Sequence, residues 1–344
     1  MDTPTAHSAL GMALREALAA VVCLVLAEWW HLEYANLAVW TTYMVTVQYP
    51  FTAFQKGVER ILGRGLGILV GWVILTLFHN APVLALTMKL VALLVFFYVY
   101  FSGRLAYTFI NAGFYLAGIV SIGVADPSAA FPQGKAFFWA VLLGVVVADL
   151  VMWLTGSESD LRIQAGGEPL LPMNYANLNH SLMLVVTVAL TQLVTSYLDL
   201  PTTAVLTALL VLTITPDVHA MLKKNELRIF GAVLGTAWGI GSLLLLIQLS
   251  HFPLQAALLF LGIFLAAYLA RASRTYSLAG VQMGLVLPLA LVMPLRESAS
   301  IHAGLQRLEG IVTALVMLVL VASIWASFGR RTAADAGGSH AAQR

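Results

Sequence analysis

Apolar runs of about twenty residues follow one another down the chain, separated by short polar breaks. That is the length a helix rising 1.5 Å per residue needs to cross a hydrocarbon layer about 30 Å thick. The first half predicts six such spans, over residues 10–30, 36–50, 61–79, 81–101, 105–123 and 134–155. A polar, Gly/Pro-containing stretch follows, GSESDLRIQAGGEPLLPMNYAN at 156–177, and the second half predicts six more spans, over 180–200, 201–216, 228–249, 252–270, 276–294 and 305–328. The end of the chain, GRRTAADAGGSHAAQR, is polar and rich in small residues, a composition that buries too little apolar surface to fold.

The halves repeat each other. RILGRGLGILVG, Arg60 to Gly71, returns 168 positions later as RIFGAVLGTAWG, Arg228 to Gly239. Around this phrase Pro50 matches Pro216, Tyr100 matches Tyr268, Gly144 matches Gly310 and Ala148 matches Ala314. An even number of spans in each repeat starts both on the same side, so the repeats are parallel, related by a pseudo-twofold axis along the membrane normal. The fold class is therefore an all-α polytopic membrane protein with about twelve transmembrane helices in two six-helix repeats. The domains are 1–155, a first membrane repeat; 156–178, a cytoplasmic linker; 179–328, a second membrane repeat; and 329–344, a disordered cytoplasmic tail.

Charge placement gives the orientation. With both termini cytoplasmic, 14 of the 18 Lys and Arg residues lie on or near the inner side, and only Lys89, Lys135, Arg296 and Arg307 fall in the outer half. Composition agrees with lipid as the solvent: 60% of residues are hydrophobic and 10% charged, where a soluble domain carries about 25% charged. A net charge of +2 argues against a nucleic-acid surface, and the single Cys23 excludes a disulfide framework. The first apolar run has no small-residue cleavage site behind it and reads as a span, not a signal peptide. Trp29, Trp30, Trp153 and Trp325 fall at span ends, as an aromatic belt places them.

Gly63, Gly67 and Gly71, with Gly231, Gly235 and Gly239, recur every four residues and clear one helix face for the close approach of another backbone. The sharper alternative is a sliding surface or a thin wall beside a permeation path. Arg60 and Arg228 sit at the inner ends of these helices, where snorkelling to lipid phosphates is the default account. Arg64 lies one turn deeper and has Ala232 as its counterpart, so it stands apart.

Ionisable groups inside spans are costly, and each is a functional hypothesis. Glu16 and Asp149 are the proton-coupling candidates, each about 10 Å in from the inner end of its helix, with a structural ion pair as the plain alternative. Lys89 either snorkels or offers an anion a fixed charge. The substrate-path candidates are Trp40, Thr42, Tyr43, Arg64, Asn111, Tyr115, Thr207 and Gln282. Several belong to two short, Pro-bounded segments at matching places in the repeats, which is where transporter sites are found. An aromatic carboxylate needs a stacking face, a few donors and a positive field, and these residues supply all three. For each residue alone, helix packing is an equally good account.

The stretches VQYPFTAFQKGVERILGRGLG and TITPDVHAMLKKNELRIFGAVLG, one in each half, resemble the fusaric acid resistance (FUSC) and aromatic acid exporter family. The resemblance implies an inner-membrane efflux protein of bacteria that exports aromatic carboxylic acids or amphipathic drugs, with a periplasmic adaptor among its partners. Larger members carry a cytoplasmic domain between the membrane halves; here only the 156–178 linker stands in its place. The function expected is a secondary, proton-coupled exporter of small organic anions, with a passive organic-anion channel of similar architecture as the alternative. No metal site is expected from the scattered histidines, no cofactor from any motif, and no enzyme, since neither G-x-x-x-x-G-K-[ST] nor G-x-S-x-G occurs.

Overall fold

The computed structural model of the chain describes residues 6–48, 53–103, 105–155, 175–198, 200, 218–249, 251–273, 275–292, 309–310, 312–314 and 316–325. The described residues are helical throughout their long elements and contain no strand. In lipid only the helix satisfies its backbone within one segment. In chain order the helices are α1 (Ala6–Trp29), α2 (Ala35–Gln48), α3 (Ala53–Leu77), α4 (Pro82–Phe101), α5 (Ala106–Ala125), α6 (Ala130–Leu154), α7 (Tyr175–Tyr197), α8 (Val218–Gln248), α9 (Phe252–Ala272) and α10 (Ser277–Leu291). A shorter apolar helix covers Val312–Trp325.

Eight of these helices are long and apolar enough to cross a membrane: α1 and every helix from α3 to α9. The chain is a multi-pass membrane protein. Leu69, Val73, Leu77, Val91 and Val95 are exposed, and so present an apolar surface outward. The expected span 201–216, with Thr207, and the tail 329–344 lie outside the described residues, as does the linker up to residue 174.

Two helices start earlier than the apolar pattern predicts. α3 begins at Ala53 and α8 at Val218, so the basic segments before Arg60 and Arg228 are helical and not turns. In α3 the polar side chains satisfy one another along the helix: Glu59 accepts hydrogen bonds from Gln55 at 2.9 Å and from Lys56 at 2.8 Å. Pairs at these spacings stabilise a helix, and a hydropathy window does not register them.

The glycine faces make the tightest contacts. A β-carbon at Gly63 would run into the Thr108 carbonyl of α5, one at Gly67 into the Ala112 carbonyl, and one at Gly71 would lie 3.1 Å from Ile119. In the second half Gly231 meets Ala279, Gly235 meets the Met283 carbonyl and Gly239 meets Ala290. The three contact positions on α10 each follow those on α5 by 171, while the glycines repeat at 168. The two pairs, α3 on α5 and α8 on α10, therefore have the same internal register, with three residues gained between the members of the second.

The halves meet through a reciprocal exchange. α1 packs on α9 of the second half, and α4 of the first half packs on α7. The short α2 lies between, against α1, α6 and α10. Tyr43 is fully buried there, its ring filling the space over Gly284 and its hydroxyl donating to the Gly280 carbonyl at 3.2 Å. The Thr42 hydroxyl donates to the Gly144 carbonyl of α6 at 3.0 Å and lies 3.1 Å from its own Ala38 carbonyl.

One ion pair ties three helices at this junction. Arg271, in the last turn of α9, bonds the Glu16 carboxylate of α1, with Nε donating at 2.7 Å and Nη2 also donating to the same oxygen. Its Nη2 also reaches the Thr46 carbonyl of α2 at 3.2 Å. The last carbonyls of a helix have no partner within it, and a cation there is favoured by the helix dipole. Arg271 thus closes the end of α2 while holding the two halves together.

Two expectations follow. Gly67→Ala and Gly235→Ala should each destabilise the protein by about 1–3 kcal/mol, because the added methyl meets a backbone that cannot rotate aside. Gly118→Ala and Gly241→Ala, with open space at the β-carbon, should be neutral or slightly stabilising, as helix propensity predicts. Thermal unfolding in detergent checks the contrast, and equal effects in both sets would count against backbone contact as the constraint. Glu16→Gln should cost about 3–5 kcal/mol by stranding the Arg271 charge. Adding Arg271→Met to Glu16→Gln should recover a large part of that, which a double-mutant cycle on the same unfolding signal reads directly.

Candidate functional site

Arg60 and Arg64 stand one turn apart on α3 and are both fully buried. Their direction follows from the glycines: Arg60 precedes Gly63 by three positions, on the face that presses against α5, so its side chain enters the bundle. The close approach of α5 then brings a row of its residues alongside, Tyr107, Asn111 and Tyr115, spaced four apart on one face. α2 contributes Trp40 and α6 contributes Phe137.

The guanidinium carbon of Arg60 lies 4.6 Å from the Trp40 ring centre, and its Nη1 donates to the Tyr107 hydroxyl at 2.6 Å. Arg64 lies 3.6 Å from the Tyr115 ring centre and 5.5 Å from that of Phe137. The rings form a continuous wall. Trp40 stacks on Phe114 at 6.2 Å, Phe114 meets Tyr115 edge-on at 4.8 Å, and Tyr34 meets Phe137 at 4.6 Å.

Neither arginine has a carboxylate within ion-pair distance among the described residues. Nε and Nη2 of Arg60 and all three nitrogens of Arg64 are buried without a hydrogen-bond acceptor. Magnitudes decide what this means. A cation–π contact contributes about 0.5–2 kcal/mol. Each stranded donor costs about 1–3 kcal/mol, and burying an unpaired ion costs several more. Aromatic contacts alone do not offset two guanidinium groups side by side. An anion would: a carboxylate accepts paired bonds from an arginine fork, and an aromatic ring attached to it stacks on the same wall.

The other sequence candidates fall in different places. Asn111 lies beside this group, its amide nitrogen donating to the Tyr107 carbonyl at 2.6 Å. Thr42 and Tyr43 are engaged at the α2–α6 and α2–α10 contacts, and Gln282 is buried on α10, at the position related to Asn111 by the 171-residue register. Asp149 is half-buried on α6, with Oδ2 3.1 Å from where a β-carbon of Gly57 would stand and Oδ1 without a partner. Glu16 belongs to the Arg271 pair, and its Oε2 is likewise buried and unpartnered. No ion pair joins Glu16 or Asp149 to Arg64 among the described residues.

Sequence reasoning assigned Arg60 to lipid phosphates, and the structure places it inside. It also missed Tyr107 and Phe137. The signal for Arg60 was present in its three-residue offset from Gly63, whereas nothing in the pattern marked Phe137 among the apolar residues of α6. In the second half, the positions related to Arg64, Tyr107 and Tyr115 hold Ala232, Leu278 and Val286.

No curated protein and no solved structure matches this chain. A family model does match: the Fusaric acid resistance protein family, FUSC, over residues 9–164, which is the family the sequence resembles and the part of the chain that carries Arg60 and Arg64.

Proposed function

We propose that this protein is a secondary exporter of small organic anions, aromatic carboxylates foremost and amphipathic drugs beside them, working outward across a bacterial inner membrane. The observation that carries this reading is the pair of buried arginines, whose five unsatisfied nitrogens face an aromatic wall and no carboxylate. The substrate's carboxylate lies on Arg60 and Arg64, and its ring stacks against Trp40 and Tyr115. Both arginines are closed off from solvent.

The full architecture in this reading is twelve spans in two parallel six-helix repeats with both termini cytoplasmic. The shared register of the two glycine-faced pairs supports it. So does the reciprocal packing of α1 on α9 and α4 on α7, since exchange of equivalent surfaces is what a twofold relation produces. The repeats are unequal in chemistry. With Ala232, Leu278 and Val286 in place of Arg64, Tyr107 and Tyr115, the second half keeps Arg228 but not the arginine pair, and each chain holds one two-arginine site.

Protons drive export through Asp149. It is half-buried, has a free oxygen and sits beside Gly57, one turn before Arg60 on α3, so its ionisation alters the field near the site. Glu16 is the second candidate, with Oε2 open to a proton while Oε1 accepts from Arg271. A periplasmic adaptor completes the outward route, on the strength of the family resemblance.

Purified protein in proteoliposomes tests the reading. An imposed pH gradient should drive uphill accumulation of hydroxybenzoate. Arg64→Gln should weaken hydroxybenzoate binding about 10- to 100-fold, the value of one or two hydrogen bonds to a charged group. Asp149→Asn should abolish accumulation while downhill exchange persists. Flux that only ever runs downhill, unchanged in Asp149→Asn, would replace the carrier with the passive channel. Binding indifferent to Arg64→Gln would remove the anion site itself.

A further inference from the structure

A third buried cation lies away from this site. Lys89, two turns into α4, is fully buried at the surface where the first half meets α7. Its ammonium donates to Gln192 Oε1 of α7 and to the Ser121 hydroxyl of α5 at 3.4 Å. Both partners are neutral, and among the described residues no carboxylate is within ion-pair distance. On the reciprocal surface, α1 on α9, the partly buried cation Arg271 is paired with the buried carboxylate of Glu16. Lys89 has no such partner. A buried ammonium left to two neutral acceptors is a net cost, and an apolar side chain of similar volume would serve packing better.

We propose that Lys89, with Ser121 and Gln192, is a second anion station that receives the carboxylate of the transported molecule after it leaves Arg60 and Arg64. This rests on the reading of those arginines as the first station. α5 touches both: Tyr115 faces Arg64, and Ser121 lies about 9 Å further along the same helix at 1.5 Å per residue. An ammonium is a compact point charge with three donors, able to hold a carboxylate oxygen while Ser121 and Gln192 keep the remaining donors bonded. The arginine pair binds by a planar fork against rings and therefore more tightly. A weaker second station nearer the other end of the bundle lets the anion leave. Because Lys89 and Gln192 come from opposite halves, the station opens when α4 and α7 separate, which couples release to movement of one half against the other.

Equilibrium dialysis of the full-length protein against labelled benzoate, in neutral detergent without added lipid, tests this. Wild type should bind two equivalents. Lys89→Gln should lose the weaker one, with its affinity reduced about 10- to 100-fold, and should slow outward benzoate flux by a similar factor. Lys89→Arg should restore both. Lys89→Met should lose the same equivalent while unfolding at the same or a higher temperature, since it removes a buried charge. A Lys89→Met protein that unfolds early would make Lys89 a structural donor to Gln192 and overturn the proposal. So would two equivalents, or unaltered flux, in Lys89→Gln. If only the first-station reading is wrong, Arg64→Gln leaves benzoate binding intact while Lys89→Gln still reduces it. If wild type binds no benzoate, both stations fall.

Discussion

At Gly63 and Gly67, α3 and α5 touch backbone to backbone, and that contact decides where the arginines of α3 point. An arginine near a helix end in lipid ordinarily turns its guanidinium to the headgroups. Here the face carrying Arg60 is pressed onto α5, and the side chain cannot turn outward without lifting the two helices apart. The glycines convert two cations that could have been interfacial anchors into interior charges, and the aromatic row of α5 is brought up to meet them by the same approach.

Interior charge then has to be matched, and the protein uses two different solutions. At the α1–α9 surface, Glu16 and Arg271 neutralise each other, with the end of α2 taking up a further donor. At Arg60, Arg64 and Lys89 the immediate partners are rings, hydroxyls and an amide. Rings and neutral acceptors stabilise a cation without discharging it, so the positive field is not cancelled. A protein that needed only packing at these points would be better served by apolar side chains of similar volume.

The long apolar helices were legible in the sequence because lipid admits few alternatives to the helix, and the matching register of the two glycine-faced pairs was legible because the glycine spacing recurs in both halves. Helix starts were less so. The polar first turns of α3 and α8 fall below any hydropathy threshold, yet Gln55, Lys56 and Glu59 stabilise one another within α3. Side-chain direction was the harder question. Thr42 and Tyr43, polar in a short helix, read equally well as path or packing, and only the position of Gly144, Gly280 and Gly284 on neighbouring helices shows what their hydroxyls and rings engage. The partner of Glu16 was invisible for the same reason: Arg271 is 255 residues away, and no local pattern connects them.

Unequal halves on a common register have a mechanical consequence. A strictly symmetric pair would carry equivalent charges on both sides of the axis, and an anion leaving one half would meet an equal attraction in the other. With Ala232, Leu278 and Val286 at the positions related to Arg64, Tyr107 and Tyr115, the second half keeps Arg228, the counterpart of Arg60, but not the second arginine or its tyrosines. Its contributions are instead made at the surfaces it shares with the first half, Arg271 to Glu16 on one side and Gln192 to Lys89 on the other. In the proposed reading the first half binds and the second half moves against it. The one locked contact, between Glu16 and Arg271, then acts as the pivot about which the softer contact at Lys89 opens.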